Sequence, residues 1–317
     1  MHAASYVLVT PVRNEEATIG ITIESVIAQS VRPKEWVIVS DGSEDRTDEI
    51  VRSYAAKHDF IRLLRMERGT GRSFASVVFA TEAGLKAIKT VDYDYIGLLD
   101  ADIRLTPDYY EQIIARFEAD PLLGVAGGIA IDYLNGIRLR VVQSGIDVAG
   151  AVQFFRRECF ESLGGLVALP EGGWDMITCV QARYNGFRVK TFKEIEVAHL
   201  KPRNISEGNA LRRRWKLGVR DYILGNHVLF ETGKCVYRFT ELPYILGGLV
   251  RLLGYGWCLL TRRPRGVSRT LAQFIRGEQL GRMLPFLKVN TEKHSARPGR
   301  QRPGLKVPLE GSQPAKS

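Results

Sequence analysis

Short apolar runs of strand length recur through the first two-thirds of this chain, each followed by a polar loop and a helical pattern. No other feature narrows its fold as far. The runs are Ser5–Thr10, Trp36–Ser40, Ile61–Arg65, Tyr95–Leu99 and Gly124–Ala130. Between them, Glu16–Gln29 places Ile19, Ile23, Val26 and Ile27 on one helical face, Asp45 and Thr47 offer caps for a helix reaching about Lys57, and Arg72–Lys89 keeps a long helical period. Thr106 and Pro107 predict one more helix start, a cap followed by a first-turn proline. Strands alternating with helices across short connections imply right-handed crossovers, hence an α/β fold with a doubly wound, mainly parallel sheet.

Composition bounds the rest. With 317 residues, 45% apolar and 25% charged, the chain can bury a full core in one large domain or two small ones. Cys159, Cys179, Cys235 and Cys258 have no metal-binding spacing and read as reduced core residues of a cytoplasmic protein. The N-terminus enters the first strand without the pattern of a secretory signal. The net charge of +10 is unevenly spread: residues 1–200 carry 22 basic and 28 acidic side chains, residues 201–317 carry 23 and 7. The basic third must face something anionic, whether phosphorylated ligands, a membrane surface or nucleic acid.

Chemistry gathers where the strands end. Tyr95-Ile-Gly-Leu-Leu runs straight into Asp100-Ala-Asp102, two carboxylates at the carboxyl end of a buried strand. Ligands of open α/β sheets sit at that end, and hard divalent cations take oxygen ligands there. The pair reads as a metal and diphosphate station, or else as a polar loop capping the next helix. Pro11-Val-Arg13-Asn14-Glu15 follows the first strand, and Asp41-Gly-Ser-Glu-Asp45-Arg-Thr47 the second. These loops can read a base or sugar; Asp45 and Thr47 also suit capping, for which Asp41 comes too early.

Thr10-Pro-Val-Arg-Asn-Glu15, Val39-Ser-Asp-Gly-Ser-Glu-Asp-Arg-Thr47, Gly71-Arg72-Ser73 and Leu98-Leu-Asp-Ala-Asp102, in that order and spacing, resemble the family 2 glycosyltransferases, whose fold is the GT-A fold of nucleotide-diphospho-sugar transferases. The resemblance implies that Pro11, Arg13, Asn14, Glu15 and Asp41 bind the nucleoside, with Arg72 near the base or diphosphate. It places Asp100 at the ribose and gives Asp102 a Mg²⁺ or Mn²⁺ ion bridging the diphosphate. Gly164-Gly165, Glu171-Gly-Gly-Trp-Asp175 and Tyr184-Asn-Gly-Phe-Arg-Val189 extend it, with Trp174 where the family has Glu. Asp175 then opens a helix as the acceptor base, a role compatible with capping. His199 would be a third metal ligand or a structural strand-end residue. Arg214-Trp215 resembles the Gln-x-x-Arg-Trp motif of processive members, with Leu211 in place of Gln; its arginines would meet phosphate, or form a solvated helix face.

Leu242–Leu260 has one charge, Arg251, and four glycines; it reads as an interfacial or hairpin element, or as a core helix pair. Residues 290–317 lack periodicity and are expected to be disordered. The expected layout is therefore a catalytic domain over residues 1–230, divided into a nucleotide-sugar and metal half (1–105) and an acceptor half (106–230). A helical, basic, membrane-associating extension follows over 231–289. The expected activity is metal-dependent, inverting transfer from a UDP-sugar to a glycan or lipid-linked acceptor in cell-surface polysaccharide synthesis, at the inner face of the cell membrane. A polyprenyl-phosphate sugar transferase is the alternative within the fold. An oxidoreductase is disfavoured because Pro11 and Arg13 stand where Gly-x-Gly-x-x-Gly would be. No base-reading module is visible, so no nucleic-acid partner is expected.

Overall fold

The computed structural model describes residues 4–67, 74–134, 137–139, 145–201, 210–240 and 243–283. Arg72 and the tail 290–317 lie outside them, as does Leu242. The elements run β1 (Tyr6–Val12), α1 (Ile19–Ile27), β2 (Glu35–Asp41), α2 (Thr47–Ala55), β3 (Ile61–Met66), α3 (Phe74–Ala87), β4 (Tyr95–Leu99), β5 (Ile103–Arg104), α4 (Tyr109–Ala119) and β6 (Leu123–Leu134). There follow β7 (Ile137–Arg138), β8 (Val152–Arg156), α5 (Arg157–Ser162), α6 (Trp174–Tyr184), β9 (Arg188–His199), α7 (Ala210–Ile223), α8 (Val228–Tyr237), α9 (Tyr244–Leu260) and α10 (Arg269–Met283).

The strands form one sheet in the order β3-β2-β1-β4-β8-β6-β9-β5, with β7 beside β6. The first four are mutually parallel; β8 enters antiparallel to β4 and β6, and β6 pairs parallel with β9. The sheet is thus doubly wound and mostly parallel. The unbroken apolar runs have a physical cause, since alternate residues serve two cores. Tyr6, Leu8, Trp36, Ile38, Tyr95 and Leu99 point to one face, under α1, α2 and α4. Val7, Val9, Val37, Val39, Ile96 and Leu98 point to the other, under α3, α5 and α6. Each fully buried side chain of this kind contributes roughly 1.5–3 kcal/mol.

Some boundaries differ from expectation. Thr106 and Pro107 do not open α4; Asp108 is its N-cap, and the Thr106 carbonyl accepts bonds from Gln29 Nε2 and Tyr109 N instead. Asp45 accepts from Thr47 N and Oγ1, so it braces the start of α2 although Arg46 occupies the cap position. Tyr244–Leu260 is one helix of 17 residues, neither a hairpin nor a helix pair. The division expected after residue 230 falls inside α8. A third core, built by α6, α7, α9 and α10, begins before that point, with Val219, Tyr222 and Ile223 already in it. All four cysteines are buried and free.

Candidate active site

The acidic turn after β4 is held in place by its backbone. Asp100 N donates to the Ala151 carbonyl at 3.0 Å, Thr22 Oγ1 donates to the Ala101 carbonyl at 2.9 Å, and Leu200 N donates to the Asp102 carbonyl at 2.8 Å. The two residues of β5 then pair antiparallel with the end of β9, Ile103 opposite His199. That short pairing delivers the histidine. Donor atoms of Asp100, Asp102 and His199 all lie within 4.8 Å of one another, and His199 Nε2 stands 3.5 Å from Asp102 Oδ2.

Behind the histidine stands a carboxylate that sequence reasoning missed. Asp132 on β6 lies opposite His199 in parallel register, and its Oδ1 is 3.1 Å from His199 Nδ1. The contact is ion-pair close but not aligned as a hydrogen bond, so Nδ1 is buried without a well-formed partner among the described residues. A carboxylate behind a histidine fixes which ring nitrogen faces a metal. A sequence signal existed, since Asp132 interrupts the apolar run from Gly124 to Leu134; the structure buries it like the residues before it. Burial pushes the Asp102 carboxyl above its ordinary value; His199 and Lys201 pull it down, and Glu15 pushes it further up. Two carboxylates and an oriented imidazole fit a divalent cation.

The nucleotide side is assembled from the first two loops. Arg13 Nη1 is 3.4 Å from Asp41 Oδ2, and both line a cavity of about 150 Å³ with Pro11 and the start of α3. Arg13 Nε is buried without a hydrogen-bond partner among the described residues, a donor open to a ligand. Asn14 and Glu15 bind the chain to itself. Asn14, at φ 54°, takes Ser43 Oγ on its N–H and accepts Glu44 N on its side chain, tying loop one to loop two. Glu15 accepts from Thr18 Oγ1 at 2.7 Å and pairs with Lys201 just past β9. Nothing in a local sequence window signals that Lys201 would reach this loop.

Asp175 arrives from the other side. It lies in the first turn of α6, whose N-cap is Gly173 at φ 96°, so it does not cap this helix. Its Oδ2 accepts the Gly150 N–H at 3.3 Å. Gly150 precedes Ala151, whose carbonyl holds Asp100, and a Cβ at Gly150 would stand 3.1 Å from that of Asp175. One glycine therefore lets the α6 carboxylate approach the end of β4. Glu171 is paired with Arg263 at 2.6 Å. Arg214 and Trp215 belong to α7 and pack beneath α9: the Trp215 carbonyl would be 2.5 Å from a Cβ at Gly254, and Arg214 Nε 3.3 Å from one at Gly247. The structure thus groups Pro11, Arg13 and Asp41, groups Asp100, Asp102 and His199, and links Asp175 to the second group through Gly150–Ala151.

A mostly parallel doubly wound sheet with an acidic pair at the end of its fourth strand defines the GT-A class of nucleotide-sugar transferase folds, and solved structures agree. The mannosyltransferase PcManGT of Pyrobaculum calidifontis, in complex with GDP-Man and Mn²⁺, superimposes with a TM-score of 0.52 at 18% identity, over 89% of this chain and 81% of that one. S. aureus TarS 1-349 in complex with UDP-GlcNAc gives 0.51 at 14%, over 88% and 80%. Residues 7–161, just under half of the chain, match the sequence family Glycosyl transferase family 2. Poly-beta-1,6-N-acetyl-D-glucosamine synthase of Staphylococcus aureus (strain COL) is 28% identical over 238 residues, 74% of this chain and 50% of that protein. The chain spans about half the length of the curated relatives it matches.

Proposed function

We propose that this protein transfers a sugar, with inversion, from a UDP-sugar to a glycan or lipid-linked acceptor in cell-surface polysaccharide synthesis. The observation that carries the reading is the convergence of Asp100, Asp102 and His199 at the end of β4, with Asp175 brought to the same strand end through Gly150–Ala151. Arg13 and Asp41, beside Pro11, take the nucleoside end of the donor. Arg72 is assigned to the base or diphosphate by motif alone. Asp100, Asp102 and His199 would hold Mg²⁺ or Mn²⁺, which when bound neutralises charge on the departing diphosphate. Asp132, 3.1 Å behind the ring at Nδ1, would favour the form of His199 that presents Nε2 to that point. Asp175 removes the proton from the acceptor hydroxyl as it attacks the anomeric carbon from the face opposite the nucleotide. Arg214 and Trp215, on α7 beneath α9, would meet the acceptor or diphosphate. Support for the donor comes from a neighbour in complex with UDP-GlcNAc, and support for the cation from one with Mn²⁺.

Thermal shifts with UDP, GDP, dTDP and NAD, each with and without Mn²⁺, test the reading. UDP with Mn²⁺ should give the largest rise, and Asp102→Ala should lose it while remaining folded. A rise with NAD alone, or undiminished Mn²⁺-dependent UDP binding by the variant, removes the assignment.

A further inference from the structure

Helix α9 is built inside out. Its face toward the protein carries Gly247, Gly248, Arg251, Gly254, Tyr255 and Cys258. Its outer face carries Leu246, Leu249, Leu253, Trp257 and Leu260, at spacings of three, four, four and three residues, with Leu253 62% and Trp257 58% exposed. These two sets fall on opposite sides of the helix. The inner face is small because α7 crosses very close: a Cβ at Gly218 would stand 1.9 Å from the Arg251 carbonyl. It is polar because Arg251 is buried between Asp221 and Glu231. The outer leucines and Trp257 of α9 therefore stay largely uncovered among the described residues, and the neighbouring α8 also exposes Val236 and Tyr237. Contiguous apolar surface of this extent marks an interaction face.

Charge identifies the occupant. Past Leu260 the chain reads Thr261-Arg-Arg-Pro-Arg265, and Arg265, Arg269 and Arg276 line a hollow of about 470 Å³ with no acidic residue in its wall. The Arg265 guanidinium stacks on the Tyr222 ring, 4.9 Å from its centroid, and its Nη1 has no hydrogen-bond partner among the described residues. The Arg276 guanidinium is pushed below its ordinary value by burial and by Arg265 beside it. Residues 284–317 add seven basic side chains against two acidic ones. A second copy of the chain on this face would bring two strongly basic regions together, whereas an anionic bilayer offers apolar depth and negative charge at once. No helix among the described residues is long and apolar enough to cross a membrane; a helix with one apolar face suits the plane of the interface.

We propose that the outer face of α9 lies in the interface of an anionic membrane, its leucines and Trp257 among the upper acyl segments and the Arg265–Arg269–Arg276 hollow on lipid phosphates. The inference stands on α9 and its surroundings and does not depend on the sugar-transfer reading. The test is flotation of the full chain with phosphatidylcholine vesicles, with and without phosphatidylglycerol. The wild type should float with the anionic vesicles and be released by salt. The triple variant Leu249→Ser, Leu253→Ser, Trp257→Ser, which touches only exposed positions, should bind at least about tenfold more weakly. Arg265→Gln with Arg269→Gln should erase most of the preference for phosphatidylglycerol. If the triple variant does not fold, the blue shift of tryptophan emission on adding vesicles takes its place: present in the wild type, and reduced in Trp257→Phe. Undiminished flotation of a folded triple variant, or an equal blue shift in Trp257→Phe, overturns the proposal. So does a wild type that ignores vesicles but sediments as a dimer that the triple variant dissociates.

Discussion

A carboxylate in a first helical turn has two ordinary uses, and the hydrogen bonds around Asp175 distinguish them. Gly173 caps α6, and Asp175 instead receives the Gly150 N–H beside the metal-ligand corner. Asp175→Asn keeps an acceptor for that N–H but loses the charge that takes a proton. Transfer to a hydroxyl acceptor at saturating donor should fall by about two to four orders of magnitude, with donor affinity and melting temperature near wild type. An unchanged rate would pass the role to Glu171 or point to a phosphate acceptor that needs no base. Asp132 makes a parallel case one layer back. Asp132→Asn should weaken Mn²⁺ binding about 10- to 100-fold in calorimetric titration. Asp132→Glu should recover part of the affinity; a purely structural role would lower the melting temperature and leave the dissociation constant alone.

At the level of elements, the crossing of α7 and α9 joins a close backbone approach to a buried charge network. Arg251 meets Asp221 of α7 and Glu231 of α8, and Lys234 Nζ lies 2.8 Å from both acids. Removing one member of such a set costs more than the set contributes, because it leaves buried charge incompletely compensated. Arg251→Met should therefore destabilise the protein by about 3–5 kcal/mol in urea unfolding. The network also has a pH signature. Burial pushes the Asp221 carboxyl up, but Lys234, Arg251 and Arg220 outweigh it and leave the group well below its ordinary value. A folded-state value below the unfolded one, about 3.9, means stability that is complete above that pH and lost as pH falls through the folded value. Urea midpoints measured downward from about pH 5 should fall for the wild type and fall less steeply for Asp221→Asn, whose residue 221 no longer titrates. Equal slopes would show that Asp221 is not the group responsible.

Across the whole molecule, α6 binds the sheet to the helical layer. Its Cys179 and Ala182 belong to a sheet core, while its Ile177 and Val180 belong to the core shared with α7, α9 and α10. Arg183 of the same helix reaches Glu278 of α10 at 2.7 Å and Asp147 at 2.9 Å. Layers sharing a buried helix should unfold together. Trp36 is buried in the sheet and Trp215 lies at the α7–α9 crossing, so single-tryptophan variants reporting from each should give coincident urea transitions. Two separated transitions would mean that the helical layer is an independent unit.

How much of this was legible beforehand follows from the range of each interaction. Runs such as Tyr6–Val9 and Trp36–Val39 are unbroken because both sheet faces are covered, so local pattern alone implied the doubly wound sheet and the loops at its carboxyl edge. The acidic pair after Leu99, the loop residues Arg13 and Asp41, and the helix opened near Asp175 were visible for the same reason: each is defined by its neighbours in sequence. Asp132 behind His199, Lys201 on Glu15, and Gly150 under Asp175 were not, since strand register and a single close backbone approach bring them together across 25 to 186 residues. The orientation of α9 belongs with them. Its sequence offers four glycines, one arginine and many leucines, and nothing local says which set turns inward. Asp221 and Glu231 decide it, because an arginine goes under cover only where carboxylates from other helices wait for it, and the leucines are left outside.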